Sequence, residues 1–91
     1  MYYTYILEML DSRGNVEYYV GFTRNLKQRI EDHQSKSTKT IKNTRIKLIY
    51  YEACLSETDA RKRELSLKTG FGRAYLKNRL KSYLQAGLVH R

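Results

Sequence analysis

The amino-acid sequence predicts a mixed α/β (α+β) domain: a small three-stranded, mostly antiparallel sheet flanked by about three helices. Three observations lead there. Two runs rich in aromatic and β-branched residues, 2–10 and 16–23, are separated only by the turn cluster Asp11-Ser12-Arg13-Gly14-Asn15, which is the pattern of a hairpin. A third such run, Lys-Leu-Ile-Tyr-Tyr-Glu-Ala at 47–53, stands apart from them. Beyond it the apolar residues change to helical spacing.

The elements follow in order. Tyr2, Tyr3, Thr4, Tyr5 and Ile6 give the first strand its β character, and Val16 to Thr23 forms the second. Asn25 with Gln28 three residues on reads as an N-cap. The helix it opens carries Leu26 and Ile30 as its apolar stripe and runs to about Gln34. Residues 35–46 are polar and read as a loop of functional length. After the third strand, Ser56-Glu57-Thr58-Asp59 starts a second helix, which is expected to end near Thr69, before Gly70 and Gly72. The last helix should occupy 73–86 on the stripe Leu76, Leu80, Tyr83 and Leu84, with Gly87 just past its end. The domain then covers residues 1–86, and 87–91 form a tail.

Length and charge narrow the function. Ninety-one residues make one domain, and 18 Lys+Arg against 9 Asp+Glu give a net charge of +9. That imbalance favours a polyanionic partner. It is also sorted: no acidic residue lies between His33 and Tyr51, and none follows Glu64. Cys54 is the sole cysteine, which excludes an intrachain disulfide and a Cys-rich zinc site. No apolar run reaches membrane-spanning length. The N-terminus lacks a basic region and a small-residue cleavage site, so a cytoplasmic location is expected. A Gly-rich phosphate loop and a zinc signature are absent.

Candidate site residues emerge from spacing. Tyr5 and Tyr19 fall on the two hairpin strands, and a slip of two residues from direct pairing leaves them diagonal on one face. Arg29 and His33, four apart, share one side of the first helix, bordering its apolar stripe. Ala60, Glu64 and Leu67 share a stripe of the second helix, which sets a carboxylate among apolar residues. Burying it is costly unless it is paired or binds a metal. Glu64 therefore reads either as an ion-pair partner of a cation such as Lys68 or as a ligand for Mg²⁺, an ion that takes few carboxylates and keeps several waters. Gly21 interrupts a strand, where glycine marks the close approach of a ligand or backbone.

Taken together, these residues resemble the GIY-YIG nuclease family, in the manner of its small single-domain bacterial members. Tyr3-Thr4-Tyr5 stands at the first motif, without its Gly, and Tyr19-Val20-Gly21 at the second. Arg29 and His33 in Arg-Ile-Glu-Asp-His match its helix positions, and Glu64 in Arg-Lys-Arg-Glu-Leu its metal-binding glutamate. The resemblance covers residues 2–84. It implies hydrolysis of DNA phosphodiester bonds with one divalent metal, Mg²⁺ or Mn²⁺, held by Glu64. Arg29 would bind the scissile phosphate, Tyr5 or Tyr19 would act as base, and His33 as relay or alternative base. Asn78 is a further candidate, matching by order a functional Asn of some members. The basic residues Arg24, Lys27, Lys36, Lys39, Lys42, Lys68 and Arg73, with Gly21, would contact the nucleic acid. The expected substrate is DNA selected by structure, whether branched, nicked or flapped, with a protein partner for targeting as a further expectation. A role in DNA repair fits the family. Charge alone also fits a non-catalytic binding module or an accessory subunit on the same fold.

Overall fold

The computed structural model describes residues 1–40 and 45–90. Their order is β1 (Tyr2–Leu10), β2 (Val16–Thr23), α1 (Leu26–Thr40), β3 (Arg45–Cys54), α2 (Glu57–Leu67), α3 (Gly70–Arg79) and α4 (Lys81–His90). The sheet has the order β2-β1-β3 and both pairings are antiparallel, so the predicted sheet is the observed one. In the hairpin turn, the Asp11 carboxylate accepts from the backbone N–H groups of Arg13 and Asn15. Those bonds, Asn15 first, hold its carboxyl below the usual range. Gly14 supplies the positive φ of 85°.

β1 is central and buried from Thr4 through Glu8. Its two polar members are held by helices. Thr4 Oγ1 donates to Ala60 O at 2.8 Å, which ties α2 to the sheet. Tyr83 Oη donates to Glu8 Oε1 at 2.8 Å, which ties α4 to it. Both helix starts have the caps the sequence announces. Asn25 Oδ1 accepts from Gln28 N at 3.1 Å, and Ser56 Oγ accepts from Asp59 N at 3.4 Å.

Three expectations are corrected. Residues 35–40 and 45–46 are not loop, because α1 continues through Thr40 and β3 begins at Arg45; 41–44 lie outside the described residues. Nothing between Gln34 and Thr40 breaks a helix, neither Gly nor Pro. Lys36 and Lys39 therefore stand on α1, whereas Lys42 lies outside the described residues. The last helix is two, so four helices are present among the described residues. The break is Leu80 (φ −106°, ψ 22°), whose N–H turns back to Leu76 O and Asn78 O. No residue type forecasts it; the bend goes with the docking of Tyr83 on Glu8. Finally, α4 runs to His90, so Gly87 does not end it.

The glycines after α2 do a different job from simple interruption. Thr69 caps α3, accepting from Gly72 N at 3.1 Å. Gly72 is buried, and a Cβ there would stand 2.7 Å from Leu67 C and nearer still to Leu67 Cα and Ser66 O. Only glycine permits α3 to cross the end of α2 this closely.

Candidate active site

β1 and β2 set the two tyrosines. Tyr5 lies opposite Gly21, and Tyr19 opposite Leu7, so the phenols are diagonal neighbours on one face. Their rings are 6.2 Å apart, tilted by 39°. Gly21 makes this possible. A Cβ there would come within 2.5 Å of Tyr5 Oη and 2.8 Å of Tyr19 Cε1. The close approach foreseen at Gly21, of a ligand or another backbone, is here that of the Tyr5 ring.

α1 contributes His33. Its Nε2 is 3.1 Å from Tyr5 Oη, and its ring is 5.2 Å from that of Tyr19. Tyr5 is only 1% exposed, whereas Tyr19 is 43% exposed. Burial, then the neighbouring Tyr19 phenol, push the Tyr5 hydroxyl up to about 12, with Arg29 opposing and Glu64 adding to the rise. Tyr5 thus keeps its proton at neutral pH.

Arg29 from α1 and Glu64 from α2 complete the arrangement. With Tyr5 and Tyr19 they line one cleft of about 630 Å³ beside the edge strand β2. Arg29 is exposed. The Glu64 side chain is 19% exposed, between the buried Ala60 and Leu67, and Lys68 Nζ approaches its Oε2 at 3.2 Å. The ion pair foreseen for Glu64 therefore exists, at the rim of the cleft, where Lys68 is 51% exposed. An i,i+4 pair of this kind contributes only ~0.3–0.5 kcal/mol, so a stronger cation can displace it. Among the described residues no group of three or more His, Cys, Asp or Glu could hold a metal. Two carboxylates, Glu64 and Asp32, on the lining of an open, polar cleft suit a hard ion that keeps most of its waters and not a zinc-like ion wanting several protein ligands.

Comparison with known proteins agrees. Residues 1–79 match the GIY-YIG catalytic domain. The chain belongs to the GIY-YIG family. It is 38% identical over 71 residues to a UPF0213 protein of Limosilactobacillus reuteri (strain DSM 20016), covering 74% of this chain and 70% of the relative. No solved structure matches significantly. Membership makes this a nuclease-type domain with DNA as the implied substrate, and GIY-YIG nucleases generally use divalent metals. α4 lies beyond the matched residues. No described helix is long and apolar enough to cross a membrane.

Within the GIY-YIG domain the remaining candidates divide. Arg24 lines the cleft but is engaged by Glu57, with Nε to Oε1 at 2.9 Å. Lys27 lines an adjoining hollow with Tyr3 and Tyr51, which shares Arg24 and Asn25 with the cleft. Arg73 lines neither; it borders an apolar groove beside α3. Asn78 is exposed on α3, and the cleft lining does not include it. Arg61 was not anticipated. It lines the cleft with its guanidinium 4.3 Å from the Phe22 ring centroid. Its position three residues before Glu64, on the same side of α2, is the signal that could have found it. Gln28 and Asp32, hydrogen-bonded to each other at 3.0 Å, also line the cleft beside Arg29.

Proposed function

We propose that this GIY-YIG domain hydrolyses DNA phosphodiester bonds in a reaction using one divalent metal, Mg²⁺ or Mn²⁺, and selects DNA by structure and not by sequence. The observation that carries this reading is the convergence of Tyr5, Tyr19, Arg29 and Glu64 on one cleft, with His33 on the Tyr5 hydroxyl behind it. Pure binding of a polyanion has no use for a carboxylate on that wall.

Each side chain then has a task. Glu64 would hold the metal. The bound ion supplies positive charge against that developing on the phosphate and the leaving oxygen. Arg29, exposed and forked, grips the scissile phosphate through two N–H groups and stabilises its added charge. Tyr19 is the phenol that water can reach; once its own hydroxyl proton has passed to solvent, the phenolate accepts the proton of the attacking water. Tyr5 holds its own proton and, through its hydroxyl on His33, fixes the imidazole ring beside Tyr19. Arg24 exchanges Glu57 for a neighbouring phosphate at small cost, since the pair is exposed.

The deciding test is Glu64→Gln, with metal binding measured by calorimetry and cleavage on a panel of duplex, nicked, flapped and branched DNA. Metal affinity should fall sharply and cleavage should vanish, while DNA affinity holds or rises. A wild-type protein that binds the panel in a salt-dependent way without cutting any of it would make the domain a binding module.

A further inference from the structure

Just past the end of β2, two guanidiniums share the carboxylate that opens α2. Arg24 donates from Nε to Glu57 Oε1 at 2.9 Å, and Arg61 Nε stands 3.7 Å from Glu57 Oε2. Each carboxylate oxygen therefore faces its own arginine. A pair of rings supports the two cations. Tyr2 and Phe22 lie nearly parallel, at 11°, with centroids 6.3 Å apart. The Arg61 guanidinium is 4.3 Å from the Phe22 centroid, and that of Arg24 is 6.0 Å from the Tyr2 centroid. Both arginines are exposed, and both line the cleft with Phe22; Glu57 is half-buried and is not part of that lining.

We propose that Arg24 and Arg61 form a second phosphodiester site in the cleft, and that Glu57 is its internal competitor, holding the two forks together until a backbone phosphate displaces it. The chemistry of the three groups selects this ligand. A phosphodiester presents two unesterified oxygens on one atom, as a carboxylate does, and it takes guanidinium forks in the same way. The rings keep the guanidiniums in place when the carboxylate leaves, because their attraction does not depend on Glu57. An exposed ion pair is weak, whereas a nucleic-acid phosphate adds the release of its counterions. Fastening α2 to the sheet does not need Glu57, since the buried bond from Thr4 Oγ1 to Ala60 O already does so. The site reads no base. It fixes where the strand lies relative to Arg29, which lines the same cleft. The proposal rests on the reading of the cleft as the seat of the scissile phosphate, and deepens it by giving a neighbouring phosphate its own site and a built-in rival.

The test reads binding of the full chain to a labelled nicked duplex by anisotropy, in metal-free buffer so that nothing is cut. Glu57→Gln keeps the shape and removes the rival charge. Affinity at low salt should rise by roughly two- to tenfold, the range for releasing one or two exposed ion pairs. Arg24→Gln with Arg61→Gln should weaken binding and flatten the dependence of log K on log salt by roughly one unit, the ~0.9 of a single phosphate. In that double variant, Glu57→Gln should bring no gain. Glu17→Gln, at an exposed position outside the cleft lining, removes the same charge elsewhere and measures what net charge alone gives. The proposal is overturned if Glu57→Gln binds no better than Glu17→Gln, or if its gain persists without the two arginines. A lower melting temperature of Glu57→Gln with affinity unchanged makes Glu57 a structural tie and overturns it as well. Cleavage with Mg²⁺ is a separate readout. A chain that never cuts, yet shows the arginine-dependent gain, loses the catalytic reading and keeps this site; a chain that cuts without that gain keeps the first and loses the second.

Discussion

Replacing Gly21 by Ala adds one methyl group at the point where β2 passes under Tyr5. Gly21 has no positive φ, so the backbone accepts Ala. On chain entropy alone the change would stabilise by roughly 0.4–1 kcal/mol. Space reverses the sign. The new Cβ would stand 2.5 Å from Tyr5 Oη and 2.8 Å from Tyr19 Cε1, where ordinary contact begins at 3.4 Å. Tyr19 can swing into solvent, but Tyr5 is 1% exposed and held at its hydroxyl by His33. Forcing a buried ring aside costs roughly 1–3 kcal/mol. In a domain of this size that lowers Tm by roughly 4–20 °C. Thermal melting by circular dichroism reads the first effect. Cleavage reads the second, because the displaced Tyr5 hydroxyl no longer fixes His33 beside Tyr19, and loss of a positioned proton-transfer group costs up to about 10²–10⁴ in rate. Gly14→Ala is the control: its cost is the backbone strain of φ 85°, with nothing within 4 Å of the new Cβ, so melting falls while the site stays intact. A Gly21→Ala protein that melts at or above the wild-type temperature and cuts normally would refute the placement of Tyr5 across Gly21.

Arg29→Lys keeps the charge but loses the planar fork; DNA binding by anisotropy should persist while single-turnover cleavage drops about 10- to 1000-fold. Tyr83→Phe removes the donor to the buried Glu8 carboxylate, and urea denaturation should show a loss of roughly 1–3 kcal/mol with metal affinity unchanged. Alkali should weaken the fold through Tyr5, whose hydroxyl is raised from 10.0 to about 12. Between those values the unfolded chain has lost a proton that the folded one retains, so stability is whole below pH 10 and declines as pH rises through 12. Denaturation midpoints measured across that window should fall less steeply in Tyr5→Phe.

Much of the site was legible because strand and helix periods fix which residues share a face. The period of two put Tyr5 and Tyr19 on one side of the hairpin, where they are found. The spacing of four put Arg29 and His33 on one side of α1, and both reach the tyrosine cluster. What spacing could not show was the difference between the phenols, since only the central position of β1 buries Tyr5 and leaves Tyr19 exposed on the edge strand. Polarity misled in the segment 35–46, because the end of α1 through Thr40 has the composition of a loop. Arg73 and Asn78 matched by charge or order, yet α3 carries them away from the cleft.

The sequence by itself determined the sheet, the caps and the identity of the chemical groups, because hydrogen-bonding capacity, side-chain volume and alternation are local properties. It determined the need for glycine at 21 without naming the reason. Tertiary structure alone decided that the reason is a tyrosine ring, that Glu64 stands half-buried with Lys68 at the rim, and that Arg61 joins the cleft. It also decided that the last helix breaks at Leu80, where the chain turns and Tyr83 reaches Glu8. These depend on which elements meet, and a contact between residues 8 and 83 is set by the packing of a helix on a sheet and not by any property of either residue's neighbours in the chain.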